Sequence, residues 1–383
     1  MGKLAIEKGP IRPPSEAQSL LIRATRNCPW NRCAFCHTYQ GKKFSLRTVE
    51  EIRDDIGRAK RIADRISDLS RLDGGDGRVS QSVVNRVCDE GEFSEDSIRS
   101  VAAWLYYGGE SVFIQDADSL VMKTDDLVQV ICCIRETFPD VRHITSYCRF
   151  KAAANKPLAD IRRLRDAGLT RIHAGLESGC DPVLRFMNKG VTAAEQVEGG
   201  RKLKEAGLSL CTYVMPGLGG KRWSREHAVE SARVINLINP DFVRLRTLHV
   251  VEGSRLFTMM QSGEFEPLAE EEIVREIRIF IEHLDGIETM IVSDHVLNLL
   301  EEIAGKLPEE KARLLAIIDR FFSLSAEERL VFRVGRRKGI YRRLDDLADK
   351  DTFLWLKCVV DQYMENDPEQ LELELNSIMH SFI

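Results

Sequence analysis

Cys28, Cys33 and Cys36 stand together in RNCPWNRCAFCHTYQ, a C-x4-C-x2-C loop that holds three of the ten cysteines of the chain. Three thiolates from one loop can hold three irons of a [4Fe-4S] cubane, leaving the fourth iron open to a small molecule. The other chemistry open to the loop is a Cys3His zinc site completed by His37. Zinc prefers its ligands as spaced pairs, whereas His37 adjoins Cys36 and no second Cys-x2-Cys pair exists in the chain, so the cluster is the favoured reading. The other seven, Cys88, Cys132, Cys133, Cys148, Cys180, Cys211 and Cys358, sit in apolar segments as small hydrophobes.

The elements around the loop set its position. Ser19–Ala24 (SLLIRA) reads as a strand ending just before the cysteines. A helix follows from the capping box Thr48-x-x-Glu51, with Val49, Ile52, Ile56, Ala59 and Ile62 on one face. The polar, glycine-rich stretch at about 68–93 reads as a surface insertion. A helix over Glu95–Tyr106, the strand SVFIQ, a helix over Asp125–Phe138 and a strand at 142–148 come next. Then a unit repeats: DAGLTRIHAGLES (166–178) and EAGLSLCTYVMPG (205–217) share a helix end, an Ala-Gly-Leu turn and a strand. A helix at 224–239 leads to a last strand in DFVRLRTL. Six strands joined by helical crossovers predict a parallel sheet, doubly wound or curled into a barrel. Past about residue 258 the strands stop, and helical periodicity runs through EEEIVREIRIFIEHL, HVLNLLEEIAGKL, PEEKARLLAIIDRFF and DTFLWLKCVVDQYM.

Composition narrows the class. In 383 residues, 43% hydrophobic and 30% charged, a net charge of -5 gives the chain as a whole no strong electrostatic reason to bind nucleic acid, which makes RNA an unlikely partner while leaving room for a local basic patch. No window approaches the ~18–20 apolar residues of a membrane span, and the first residues lack an apolar signal core, so a cytoplasmic protein is expected.

The cysteine loop, Phe35 before its last cysteine, and the βα repeats downstream resemble the radical S-adenosylmethionine (radical SAM) superfamily, over about residues 11–257. The nearer likeness is to its oxygen-independent coproporphyrinogen-oxidase-like and methylthiotransferase-like branch. The usual spacing there is C-x3-C-x2-C; here the first gap is one residue longer. The resemblance implies a partial (β/α)6 TIM-like barrel over 18–257, after a short extension at 1–17, with an appended helical region at 258–383. It implies a [4Fe-4S] cluster on Cys28, Cys33 and Cys36 whose open iron binds S-adenosylmethionine. A low-potential electron donor of the flavodoxin or ferredoxin type reduces it, and the resulting 5'-deoxyadenosyl radical abstracts hydrogen from a small-molecule substrate.

The family's Gly-Gly-Glu motif follows its second strand. Gly108-Gly109-Glu110 matches the letters but precedes the strand, where a glycine pair ends a helix, so Glu110 is read as a decoy. The place after the strand holds Asp116 and Asp118, and Asp118 aligns with the family's glutamate. The resemblance extends the cofactor site to Ser146, Arg149, Glu177, Lys189 and Met215, at or after the C-terminal strand ends where barrel enzymes keep their chemistry. Arg246, His249, Asp294 and His295 are candidates for touching substrate, the last two as the opening of a helix. The basic run RVGRRKGIYRR (333–343) reads as a solvated face. The short segment before the first strand leaves no room for a cobalamin domain. Two rival functions remain: a haem-carrying relative with His173, His249 or His295 as axial ligands, and an RNA-modifying enzyme.

Overall fold

Leu20, Leu21 and Ile22 are almost fully buried, and the first apolar run forms a strand, β1 (Leu20–Arg23). The computed structural model describes residues 3–381, which divide into two compact units. One comprises the chain up to Asn31, Thr38–Gly175 and Glu198–Leu210; the other comprises Arg32–His37, Leu176–Val197 and the chain from Cys211 onward.

In the first unit a short antiparallel pair, β2 (Thr25–Arg26) and β3 (Ser45–Leu46), precedes the long helix α1 (Val49–Leu72). The capping box forms as expected: the Thr48 hydroxyl accepts from the Glu51 N–H at 3.2 Å, and the Glu51 carboxylate accepts from the Thr48 N–H at 2.8 Å. The five apolar positions read as its inner face are all buried. After α2 (Gln81–Glu90) and α3 (Glu95–Tyr106) come β4 (Ser111–Gln115), α4 (Thr124–Thr137), β5 (His143–Cys148), α5 (Phe150–Asn155), α6 (Leu158–Ala167) and β6 (Leu169–Glu177). Strands β1, β4, β5 and β6 pair side by side in that order, all parallel. The expected insertion at 68–93 is mostly helix. α1 runs on to Leu72, and α2, capped by the Ser80 hydroxyl on the Val83 N–H at 3.3 Å, buries Val83, Val84 and Val87. The glycines only punctuate two helices whose apolar spacing the polar residues around them obscure.

After α7 (Asp181–Phe186) the helix α8 (Ala193–Glu205) lies mostly in the first unit, and from Cys211, within β7 (Ser209–Val214), the second unit continues through α9 (Gly220–Ile238), β8 (Phe242–Leu245), α10 (Arg255–Gln261) and α11 (Glu270–Glu282). Two strands then appear where only helices were expected. β9 (Thr289–Val292) pairs parallel to β8, and β10 (Gly305–Leu307) pairs antiparallel to β9. Strands β7 and β8 are also parallel. The chain ends in α12 (Lys311–Ser323), α13 (Ala326–Arg337), α14 (Lys350–Asn366) and α15 (Pro368–His380). The fold is thus α/β, with mostly parallel strands, helical crossovers and a helix-rich C-terminal part. The division between units does not fall at residue 257, because the C-terminal elements share a unit with β7 and β8.

The segment HVLNLLEEIAGKL is not helical. The reason is a competition for its carbonyls. Arg337 donates to the carbonyls of Val296 and Leu297, both at 3.0 Å, and the Asn298 amide bonds the Leu245 carbonyl and the Ser293 hydroxyl. The basic run is a solvated face only at its end, where Arg342 and Arg343 are exposed: Arg336 and Arg337 are 7% and 5% exposed, and their partners include Glu301 and Glu270. No described helix is long and apolar enough to cross a membrane.

Candidate functional site

The cysteine loop is anchored at both ends. At its entry Asp116, fully buried after β4, accepts from the Arg23 guanidinium at 2.9 Å, from the Asn27 N–H at 3.0 Å and from the Tyr39 hydroxyl. Asn27 takes φ 66°, a left-handed conformation that asparagine tolerates, one residue before Cys28. Both oxygens of Asp116 are therefore spent on holding the loop, rather than facing a ligand as its place in the cofactor set implied.

The exit of the loop belongs to the second unit. The Cys36 N–H bonds the Cys33 carbonyl at 3.2 Å, closing a tight turn. Between them the Ala34 N–H bonds the Met187 carbonyl at 2.9 Å, and the Ala34 carbonyl accepts from Leu256 at 2.9 Å. Phe35 packs on an apolar cluster that includes Cys180, Met187 and Met215. Lys189 lies over the Phe35 ring, 5.7 Å from its centroid, and pairs with Glu177 at 3.0 Å. The Met215 N–H donates to the Glu177 carbonyl at 3.0 Å, and Glu177 itself is held at φ 62°. Glu177, Lys189 and Met215 are thus brought together around the Cys33–Cys36 turn. Such strain in a glutamate persists only where surrounding contacts over-determine it.

Cys28, Cys33 and Cys36 are all half-buried, and none of them is in a disulfide. Among the described residues no three His, Cys, Asp or Glu are gathered as a metal site. The fit to an iron–sulfur cluster therefore rests on the donor set, three accessible thiols on one anchored loop; the fit to its small-molecule ligand rests on a buried carboxylate after β4 whose oxygens have no hydrogen-bond partner.

That carboxylate is Asp118. It is fully buried in the first unit, and neither oxygen has a hydrogen-bond partner. Burial pushes its acid up to about 7, only partly offset by the Arg149 charge and the nearby backbone amides of Arg149 and Leu120. An orphaned buried carboxylate is costly and calls for a cation or donor to complete it. Arg149 lies over the Trp30 ring at 5.3 Å. Ser146, at the end of β5, donates to the Ile114 carbonyl at 2.8 Å and meets the Ser119 hydroxyl at 2.7 Å, so it braces the strand ends. Glu110 precedes β4 with its side chain 48% exposed, 3.6 Å from Arg142. Glu110→Ala is expected to leave thermal stability and S-adenosylmethionine binding within about 0.5 kcal/mol of wild type, as exposed substitutions usually do; an isothermal titration checks this.

Sequence reasoning missed a buried polar network in the second unit. His227 on α9 meets the Ser178 hydroxyl at 2.8 Å through Nδ1 and the Met215 carbonyl at 3.1 Å through Nε2. Glu276 on α11 accepts from the Gly217 N–H and the Ser224 hydroxyl, both at 2.6 Å. These bonds fix the segments that follow β6 and β7, where Glu177 and Met215 sit. The available signal was a glutamate among Ile273, Val274 and Ile277 on the apolar face of α11.

Of the four substrate candidates, the structure separates one from the rest. His249 lines a cavity of 1290 Å³ in the second unit, whereas Arg246, Asp294 and His295 do not line it. Asp294 opens no helix and pairs with Arg244. Burial, with Arg246 adding to it, lowers His295 to about 4, and its Nδ1 accepts from the Leu297 N–H at 3.3 Å. His173, one of the proposed haem ligands, is buried with its Nε2 3.0 Å from Glu16. The cavity walls are the segment after β8, the start of α11, and parts of α13 and α15. His249 Nε2 and His380 Nδ1 are 3.4 Å apart across it. Its charged lining consists of Arg275, Arg329, Arg333 and Arg337 against Glu252, Glu270, Glu271, Glu272 and Glu372. Arg329 and Arg275 share Glu271 at 2.9 and 3.6 Å, while Arg333 and Arg337 share Glu270, and Arg333 also reaches Glu372.

Comparison with known proteins adds a family likeness over part of the chain. The profile described as the radical SAM superfamily matches residues 84–232. A tRNA uridine(34) acetyltransferase from Methanocaldococcus jannaschii is 23% identical over 291 residues, 71% of this chain and 50% of that protein. A biotin synthase from Nitratidesulfovibrio vulgaris is 33% identical over 122 residues, 31% of this chain and 30% of that one. A crystal structure of methylornithine synthase superposes with a TM-score of 0.42 at 14% identity, covering 78% of this chain and 68% of that one. The chain spans a quarter to a half of the length of the three curated relatives it matches first.

Proposed function

We propose that this chain, whose residues 84–232 match the radical SAM superfamily, is an enzyme of that superfamily that holds a [4Fe-4S] cluster on Cys28, Cys33 and Cys36 and binds S-adenosylmethionine beside it. When bound, the two groups supply reductive cleavage to methionine and a 5'-deoxyadenosyl radical able to abstract a hydrogen atom. The protein's own work is positioning. Asp116, Arg23 and Tyr39 hold the entry of the cysteine loop, while the bonds of Ala34 to Met187 and Leu256 hold its exit.

The observation that carries the reading is Asp118. A buried carboxylate with two unsatisfied oxygens, following β4, is the receptor expected for the methionyl ammonium, and the charge-assisted bond would repay its burial. Lys189 is offered to the methionyl carboxylate, with Glu177 orienting it through their 3.0 Å pair. Binding of the ammonium requires ionised Asp118. Affinity should therefore fall as pH drops below about 7, and Asp118→Asn should remove that dependence.

A tRNA substrate is the second reading, favoured by the likeness to tRNA uridine(34) acetyltransferases over part of their length. The haem reading is weaker, because His173 is committed to Glu16 and His249 stands against His380. The test is anaerobic reconstitution with iron and sulfide, then incubation with S-adenosylmethionine and dithionite. About four irons per chain and formation of 5'-deoxyadenosine are expected. Stoichiometric zinc without iron, or iron without cleavage, would overturn the proposal.

A further inference from the structure

We infer that the cavity of the second unit takes an uncharged small molecule with a mostly apolar body and one or two hydrogen-bonding groups, held at the His249–His380 pair. This assignment rests on the radical SAM reading, whose substrate it identifies by class.

Charge is the first argument. Four arginines meet five glutamates in the lining, one negative charge in excess, and each of the four arginines is already paired. A phosphate or other anion would have to pull a guanidinium from its carboxylate and would face a net negative wall. A cation would meet the four guanidiniums instead. Two carboxylates lie outside these pairs, and neither offers a buried counter-charge: Glu272 accepts from the Ala269 N–H at 2.7 Å at the start of α11, and Glu252 is exposed to solvent. An uncharged ligand disturbs none of these pairs.

The hydrogen-bonding end is the imidazole pair. Burial, and then the charges of His380, Arg337 and His37, hold His249 below the usual histidine range, so it is a neutral ring near pH 7. The contact between the two rings uses His249 Nε2 and His380 Nδ1. The second nitrogen of each ring is left to donate to or accept from a hydroxyl, carbonyl or amide.

Apolar surface and position complete the case. Leu248, Val250 and Met260 line the cavity and also pack on the cluster that carries Phe35 and Met215, so this apolar wall is continuous with the Cys33–Cys36 turn. At 1290 Å³ the space exceeds the ~300–1,000 Å³ of ordinary ligand pockets.

The test uses the full-length chain and two probes: Nile red, an uncharged apolar dye, and fluorescently labelled bulk tRNA, both at ~0.15 M salt. One Nile red per chain should bind saturably. Asn376→Trp and Leu373→Arg, two variants at exposed cavity-lining positions of α15, should each weaken that binding about tenfold or more while the melting temperature stays near wild type. Two variants are used so that misfolding of one leaves the other to decide. Dye affinity unchanged in the folded variants, or tRNA that competes with the dye and is lost in the same variants, would overturn the inference and, in the second case, make RNA the occupant. Failure of the radical SAM reading shows separately: without S-adenosylmethionine cleavage by the reconstituted wild type, the cavity's ligand is no substrate of that reaction, whatever the dye does.

Discussion

Asp118→Asn is expected to stabilise the protein while crippling its proposed cofactor binding. The wild-type acid is raised from 3.8 to about 7 by burial. Between those values the folded chain holds a proton that the unfolded chain has lost, so stability falls as pH rises through that window and the full penalty is present above it. A rise of that size corresponds to roughly 4 kcal/mol. A neutral amide removes that term, so denaturation at about pH 8 should show a gain of up to a few kcal/mol, shrinking toward zero near pH 4. Over the same substitution S-adenosylmethionine binding should weaken by about 1.5–3 kcal/mol, the range for hydrogen bonds to charged groups. A variant that is neither more stable at high pH nor impaired in binding would show that Asp118 finds its partner within the protein.

The largest loss of stability should come from Arg337→Ala. Glu270, at the first position of α11, is almost completely buried, and both its oxygens are taken by Arg333 and Arg337. Burial alone would raise its acid, but the two guanidiniums outweigh it and hold the carboxyl low. Its contribution is thus present above the usual carboxylate range and is lost as pH falls through it. Removing Arg337 leaves that charge half-paired and strips the Val296 and Leu297 carbonyls of their donor. Breaking a buried pair from one side costs about 3–5 kcal/mol. Urea unfolding at neutral pH should show a loss of that size, and a double variant in which Glu270 is also replaced by an apolar residue should recover most of it. A loss below about 1 kcal/mol would mean that water reaches the pair.

The cysteine loop, the parallel strands and the placing of Glu110 before β4 and Asp118 after it were legible in the sequence because they rest on local rules. Spacing of three cysteines, alternation of apolar runs, a capping box at Thr48, and the side of a strand on which a residue falls are all written within a few positions. The sequence alone did not determine which carboxylate was already spent. Asp116 and Asp118 are two residues apart and equally buried, yet Asp116 meets Arg23 and Tyr39, 93 and 77 residues away in sequence, while neither oxygen of Asp118 has a hydrogen-bond partner. Nor did it reveal that an apolar segment with helical spacing would become β10 and turns, since its carbonyls are claimed by Arg337, some forty residues on. The basic run and the substrate candidates follow the same rule. Whether Arg337 is solvated or buried, and whether His249 rather than Asp294 or His295 lines a cavity, depends on which distant side chains arrive to satisfy or displace them. Burial and pairing are properties of the packed chain, and only the tertiary structure could decide them.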